Sequence, residues 1–344
     1  MLKGILTGVS VIKASVVNRG AGIGVLATVK KVTFLDGQKV QFSNVSFKRA
    51  WMERMKVWDG WSEPILYRGD VVQKDGTIID SEEFDFTGTM IATKNYSRRG
   101  PLAVGKGISV NSFAGDIDFL SNAGLVKSIG ENNLYSKEDF YGIYLMPLAI
   151  ELANVGRQTI NLSNSDINES DDTKTKIIKL YRALGLEAEI EKFDEKRMTN
   201  LIKIVKDIRV NRNEVTIELT EQEKKRRLEQ LLKGMGDLYR RIEGRIEVIS
   251  PLFCAFSLSY YAPNYLYLIE DEIVRQYKQM KENGESIFTL DYESLVKKLE
   301  ELEKRNGKKI YKATYMDYNI TVNELINDIF SEKDKQNEDQ SLAT

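Results

Sequence analysis

Seven residues, Asn18-Arg19-Gly20-Ala21-Gly22-Ile23-Gly24, set an arginine, a side-chain amide and three glycines in one turn. Glycine lets backbone N–H groups come close to an anion, and arginine offers a fixed fork of donors to phosphate oxygens. The chemistry is a grip on phosphate; no bond need be made or broken. Around this turn, residues 1–60 carry ten bases, Lys3, Lys13, Arg19, Lys30, Lys31, Lys39, Lys48, Arg49, Arg54 and Lys56, against the three acids Asp36, Glu53 and Asp59. The difference is +7 in a chain whose total is −1, so the charge is polarised and one face suits a polyanion. A single lysine more often only solvates a surface; the cluster around a glycine turn points to a partner.

The remaining composition removes most catalytic chemistries. Histidine is absent, and Cys254 is the one cysteine among 344 residues. Ser-His-Asp and Cys-His nucleophiles, histidine acid–base steps and nearly every zinc site are therefore excluded. A single cysteine also excludes an intramolecular disulfide and fits a reducing cytoplasm. No metal or cofactor is expected.

Four other constellations fail on context. Gly20-Ala21-Gly22-Ile23-Gly24-Val25 follows a strand, yet valine stands where a dinucleotide fingerprint needs a small residue, and the pattern after it is not helical. Gly100-Pro101-Leu102-Ala103-Val104-Gly105-Lys106-Gly107 has phosphate-loop spacing. Glycine there replaces the magnesium-binding hydroxyl, and Ile108-Ser109-Val110 favours a strand. Asp116 and Asp118, or Glu82, Glu83 and Asp85, could pair on magnesium, but acids in turns are far commoner. Tyr260, Tyr261, Tyr265 and Tyr267 could stack on bases, but their place beside a late strand favours core or strand-edge packing.

Periodicity gives the elements that must hold the cationic turn. Gly4–Val17 reads as a strand buried for much of its length and Val25–Phe34 as a second, closed by a hairpin at Asp36-Gly37. From Phe42 to Met55 the spacing is helical. Val45, Ala50, Trp51 and Met55 share a face, Lys48, Arg49 and Arg54 point outward, and Ser43 or Ser46 is the N-cap. Pro64–Asp85 is polar and reads as an insertion, Phe84–Thr93 as a strand leading to Arg98-Arg99-Gly100-Pro101. Leu102–Val110 and Asp116–Leu120 are short extended pieces. Phe140–Leu152, apolar on both faces, is a central strand in which Pro147 calls for a bulge or an edge.

Beyond an acidic loop, Ser163–Thr173, two helical patterns follow: Ile177, Leu180, Tyr181 and Leu184, then Met198, Leu201, Ile202, Val205 and Ile208. Thr220-Glu221-Gln222-Glu223 is a capping box opening a helix. Its stripe is Leu228, Leu231, Leu232, Met235, Leu238 and Ile242; Lys224, Lys225, Arg226, Arg227, Arg240 and Arg241 fall on the other face, and Gly234 and Gly236 mark its end. Ile246–Ile249 and Leu252–Leu258 read as a split strand, Asp291–Asn306 as a charged helix stopped by Gly307, and Val322–Phe330 as a last helix. No apolar run reaches the ~18 residues of a membrane span, and Met1-Leu2-Lys3-Gly4 enters a strand without a cleavage-type leader. The irregular mixture of strands and helices predicts an α+β fold with a mainly antiparallel sheet. Residues 1–330 read as one elaborated domain with insertions near 58–83 and 158–215, and 331–344 as a disordered tail.

Several short segments, taken in order, resemble a known family. They are Ala14-Ser15-Val16-Val17-Asn18-Arg19-Gly20, the Ser43-x-x-Ser46-Phe47-Lys48-Arg49-Ala50 helix and Phe86-Thr87-Gly88-Thr89-Met90. Arg98-Arg99-Gly100-Pro101-Leu102-Ala103-Val104 follows, with Ile108-Ser109-Val110 and Gly115-Asp116-Ile117-Asp118-Phe119. Tyr141-Gly142-Ile143-Tyr144 with its strand to Gly156-Arg157, Leu231-Leu232-Lys233-Gly234-Met235-Gly236 and Ser250-Pro251-Leu252-Phe253 complete the set. Over roughly residues 1–260 the chain resembles the backbone subunit of type I CRISPR surveillance (Cascade) complexes, the Cas seven or DevR family, most like its type I-B branch.

The resemblance implies a palm with a modified RNA-recognition-motif, ferredoxin-like fold and large finger- and thumb-like insertions. It implies a cytoplasmic, RNA-binding and non-catalytic subunit without a cofactor. Its copies would polymerise along the CRISPR RNA spacer, beside other Cascade subunits, and present the guide for pairing with target DNA in antiviral defence. The positions matching the family's RNA-contacting segments are Asn18, Arg19 and Gly20, Lys48 and Arg49, Arg98 and Arg99, and Arg240 and Arg241. The residues read by themselves agree, since a protein that grips sugar–phosphate leaves base edges free and delegates sequence to pairing. The alternative is a CRISPR RNA-processing endoribonuclease of related fold, with lysine or tyrosine in place of the missing histidine.

Overall fold

The computed structural model describes residues 2–15, 17–22, 26–121, 134–162, 166–242, 244–259, 265–285 and 289–341. The first strand, Ile5–Ala14, runs through the interior of an eight-stranded sheet. The order across it is Tyr311–Thr314, Pro251–Ser259, Ile5–Ala14, Gly142–Glu151, Gly107–Ser112, Gly37–Phe42, Lys31–Phe34; Leu102–Val104 pairs farther along Gly142–Glu151. Every pairing in this sheet is antiparallel. The fold is α+β with mainly antiparallel sheets, as the mixture of elements predicts.

The first strand lacks polar alternation because both its faces are covered. Leu6, Ile12 and Ala14 pack under the helices Asn44–Asp59, Glu221–Met235 and Tyr318–Ser341. Val9 and Val11, pointing the other way, pack under Tyr265–Glu282 and Tyr292–Asn306. The first helix is fixed tightly on this core. Trp51 Nε1 donates to Leu231 O at 2.9 Å, and a Cβ on Gly234 would lie 2.2 Å from Met55 Sδ, so only glycine admits the contact.

A second core draws on both regions read as insertions. Ile78, Ile79 and Phe84 pack with Ile160, Ile177, Leu180, Tyr181, Leu201 and Ile217. The strands Arg157–Asn161, Glu214–Leu219 and Val205–Asn211 and the helices Thr173–Ala183 and Glu195–Ile204 frame it.

Several elements differ from the sequence expectation. Val25–Phe34 divides into Leu26–Ala27 and Lys31–Phe34, because Val29 N donates to Glu138 Oε2 at 2.8 Å and leaves the ladder. The start of Phe84–Thr93 is helical, over Glu82–Thr87, because Ser81 Oγ accepts from Phe84 N and acids fill the first turn. Val205 and Ile208 belong to a strand that turns at Arg212 (φ 53°) into its partner, not to the preceding helix. Tyr265 and Tyr267 open the helix Tyr265–Glu282; Tyr260 and Tyr261 lie outside the described residues, as do Val16, Ile23, Gly24 and Val25. Thr220 caps its helix as expected, but Glu223 pairs with Arg226 and Arg227, and Thr220 N donates to Ile204 O instead. Lys224 and Arg227, expected outside, are buried on Glu218, Glu223 and Asp85. The last helix begins at Tyr318 and runs to Ser341, past the expected end at Phe330.

Pro147 sits in mid-strand opposite Val9. Its carbonyl accepts from Gly105 N at 2.8 Å, so its nitrogen faces the same side, away from the first strand. There the chain is changing from Leu102–Val104 to Gly107–Ser112, and no ladder donor is required. A Cβ on Gly105 would come within 2.6 Å of Pro147 Cγ. Gly105→Ala should therefore lower stability by about 1–3 kcal/mol through overpacking against a stiff ring. A urea titration should show a lower midpoint with an unchanged slope.

Candidate nucleic-acid interface

The turn that follows the first strand is held from three sides. Ser15 donates through its backbone N (2.6 Å) and its hydroxyl (2.5 Å) to the Glu247 carboxylate. Asn18 Oδ1 accepts from Ser43 N at 2.9 Å, which ties the turn to the start of the first helix. Ser43 is the N-cap residue, yet its own hydroxyl makes no capping bond. Arg19 bridges to Val29, and its Nη1 donates to Glu138 O at 2.5 Å. Gly20 N donates to Thr28 O at 2.8 Å, and a Cβ on Gly20 would lie 2.9 Å from Thr28 Oγ1 and 3.0 Å from Val29 O. Glycine is needed here for the close approach of two chain segments.

The hairpin formed by Tyr239–Ile242 and Arg245–Val248 supplies the third support. Its register pairs Arg240 with Glu247 and Arg241 with Ile246, so Arg240 and Glu247 share the inward face while Arg241 points out. Glu247 pins Ser15. Arg240 Nη1 donates to Val17 O at 2.6 Å and also bonds Ser46 Oγ on the first helix. Both acceptors are neutral, so burial pushes the Arg240 guanidinium below its ordinary pKa, with Glu53 only partly opposing.

Between the first helix and this hairpin lies a cleft of about 510 Å³ whose walls include Arg49, Arg54, Tyr239, Arg240 and Arg241. Arg54 is held by Asp237 through two 2.8 Å bonds and also meets Asp59, so it shapes the wall. Arg49 makes one exposed pair with Glu53 at 2.8 Å, an interaction of small net strength. Arg241 is exposed and has no ion pair among the described residues. Lys48, on the same helix, is half-buried and likewise unpaired among them. Burial first, and then the like charge of Lys74, push its ammonium below the usual lysine value. Cations that have lost water without gaining a carboxylate favour an arriving anion.

The family described as CRISPR-associated negative auto-regulator DevR/Csa2 matches residues 11–262. The chain belongs to the DevR/Csa2 family. Solved structures similar to it include a chain of a "CRISPR RNA-guided surveillance complex, pre-nicking", at 9% identity and a TM-score of 0.50, over 90% of this chain and 92% of that one. A chain of a "CRISPR RNA-guided surveillance complex" is similar at 10% identity and a TM-score of 0.48, over 94% of this chain and 98% of the other. The first is a likeness of fold alone. No curated protein matches the chain.

This DevR/Csa2 chain gathers Asn18, Arg19, Gly20, Lys48, Arg49, Arg240 and Arg241 around the first helix, but not the other two predicted residues. Arg98 is turned inward. Its side chain is 6% exposed and donates to Asp85 Oδ1 (2.6 Å), Asp85 O (3.0 Å) and Asn154 O (3.3 Å). Arg99 is open to water and pairs with Glu151 at 2.8 Å. Glu151 lies opposite Ile5, at the far end of the first strand from Asn18. At ~3.3 Å per residue, that strand puts roughly 30 Å between the two sites. Asp118 and Glu82 are spent on Arg245 and Arg226, and no three potential metal ligands group among the described residues. Residue-type reasoning missed Ser46, Tyr239 and Glu247; for Glu247 the available signal was the polar–apolar alternation of Arg245-Ile246-Glu247-Val248.

The two neighbouring arginines separate cleanly by experiment. Arg98→Ala removes one of the two guanidinium partners of the buried Asp85 carboxylate, leaving Arg227 (3.2 Å) and Gly156 N, and should destabilise by about 1.5–3 kcal/mol. Arg99→Ala should change stability by under ~1 kcal/mol. Parallel thermal and denaturant unfolding of the two variants measures the difference.

Proposed function

We propose that the chain is a CRISPR RNA-binding backbone subunit of a type I surveillance complex. The observation that carries this is the pair of cations without carboxylate partners among the described residues, Arg240 and Arg241, held where the first strand, first helix and hairpin meet in a DevR/Csa2 chain, with Lys48 half-buried and unpaired elsewhere on the same helix, toward Lys74. A partner with regularly spaced phosphates satisfies these charges together. Copies of the chain polymerise along the guide, hold its spacer extended and leave base edges free for pairing with target DNA, beside other Cascade subunits. In this reading the central antiparallel sheet is the palm of a modified RNA-recognition motif, and the second core is an inserted finger. The subunit performs no catalysis.

RNA binding should weaken evenly across sequences in a Lys48→Ala, Arg241→Ala double variant. Its log–log salt slope should flatten by about 0.7 for each phosphate the variant no longer neutralises. An unchanged slope would place the RNA elsewhere. Sizing of the protein with a guide-length RNA should give several copies per strand; one copy per strand would remove polymerisation from the proposal.

One group favours a second reading. Lys48 is half-buried and has no carboxylate partner among the described residues, and burial moves its ammonium in the direction that a lysine base of an endoribonuclease would need. Incubation with repeat RNA in the absence of metal decides it: intact RNA supports the structural subunit, and defined cleavage products whose yield depends on Lys48 overturn it.

A further inference from the structure

The two outer strands of the central sheet are finished in different ways. Tyr311–Thr314, at one end, is closed by its own neighbourhood. Tyr315 N donates to Leu252 O at 3.2 Å, so by alternation Lys312 and Thr314 turn their backbone groups away from the sheet. Asp317 Oδ1 accepts from Thr314 N at 2.6 Å, and Thr321 Oγ1 donates to Lys312 O at 3.4 Å. An outer strand blunted in this way does not recruit another.

Lys31–Phe34, at the other end, is left open. Lys30 O accepts from Gln41 N at 2.7 Å, so Val32 and Phe34 face the neighbouring strand and the backbone groups of Lys31 and Thr33 face outward. Those outward groups have no partner among the described residues. Val29, just before them, is already taken by Glu138. The open interval is therefore Lys31 to Leu35, with Thr33 at its centre. Phe34 is 47% exposed, and Leu35, on the turn, is fully exposed. Lys30 has no ion pair among the described residues.

This interval is its own complement. Antiparallel pairing of two copies about Thr33 sets Val32 opposite Phe34 and Lys31 opposite Leu35, and brings Lys30 toward Asp36. Apolar pairs and opposite charges both favour adjacent strands. The Lys31 ammonium lies 4.3 Å from the centre of the Phe113 ring, so the incoming Leu35 arrives beside an aromatic surface. The neighbouring register, about Val32, sets Lys30 against Phe34 and loses these matches.

We propose that two copies of this chain pair through Lys31–Leu35 about a two-fold axis at Thr33, joining their central sheets edge to edge without RNA. A two-fold contact uses the same patch twice and closes at two copies. The blunted Tyr311–Thr314 strands keep the joined sheet from growing. The contact is thus separate from any head-to-tail contact that lines copies along a guide, and it does not depend on the RNA-binding reading. A short strand pair buries little area, so the dimer is weak and reversible.

Sedimentation equilibrium of the nuclease-treated full chain at micromolar concentrations should show monomer and dimer and nothing larger. Thr33→Pro deletes the outward N–H and spares the existing ladder, and should weaken the dimer by at least about ten-fold. Thr33→Ala, which keeps the N–H, should preserve it. A second variant reports on the register even if proline disturbs the fold. Directly opposed, hydrogen-bonded residues stand about 5.5 Å apart at Cα, within disulfide reach, so oxidised Thr33→Cys should give a covalent dimer. Cys254 is buried and cannot supply that link, and Gln38→Cys, exposed one strand inward, should not form it. A chain that stays monomeric, assemblies beyond two copies, a dimer that survives Thr33→Pro, or a Thr33→Cys chain that does not cross-link overturns the proposal. Guide-length RNA should bind Thr33→Pro as it binds the unaltered chain; weaker binding would assign this edge to RNA and overturn the dimer contact, and failure of both chains to bind bears on the RNA reading alone.

Discussion

A guanidinium that surrenders water without gaining a carboxylate stays put only if its surroundings insist, and Arg240 is such a group. Its two acceptors, Val17 O and Ser46 Oγ, belong to the end of the first strand and to the first helix. On the same face of the hairpin, Glu247 holds Ser15. Two residues opposed in one register thus fasten three elements together. The arrangement leaves a positive charge satisfied in hydrogen bonds and unsatisfied in charge. In the proposed reading, that residual imbalance is what the cleft would offer a phosphate, and the sheet beneath it keeps its position.

The sheet does so by burying its middle strand on two sides. Helices from the chain's first, middle and last parts converge on one face, and the two helices between Tyr265 and Asn306 close the other. The second core stands apart, yet buried charges tie it to the main body. Asp85 accepts from Arg98 and from Arg227 of the long Glu221–Met235 helix, and Glu223 of that helix closes the chain of pairs. Such a network stabilises little by its mere presence, but losing one member strands the others.

The long elements with a clear period were legible: the first strand, the first helix, the Gly142–Glu151 strand and the Tyr292–Asn306 helix with its Asp291 and Gly307 ends. The Tyr265–Glu282 helix was not, its opening tyrosines having read as core or strand-edge residues beside a late strand, and neither were the short or mixed elements. Met198, Leu201, Ile202, Val205 and Ile208 keep helical spacing, but pairing with Glu214–Leu219 claims the last two for a strand. Six residues, Glu82–Thr87, are too few to show a period, although Ser81 and the acids after it marked a helix start. The cations could be read by type and by crowding. Which were already engaged could not, because the partner depends on tertiary packing: Arg98 meets Asp85 across the Gly88–Arg99 hairpin, and Arg227 reaches it from 142 positions away.

Pro147 acts as a key for the sheet's alignment. Turned as it is, its ring nitrogen meets the one interval on that flank where no acceptor waits, between Leu102–Val104 and Gly107–Ser112. Sliding the strand by one residue would set Pro147 opposite Gly8 or Ser10 with its nitrogen toward the first strand, and leave a first-strand carbonyl without a donor. Sliding it by two would set the ring against a paired neighbour. A residue that weakens most strands therefore excludes the misaligned sheets in which the first strand, and the arginine-held turn at its end, would point elsewhere.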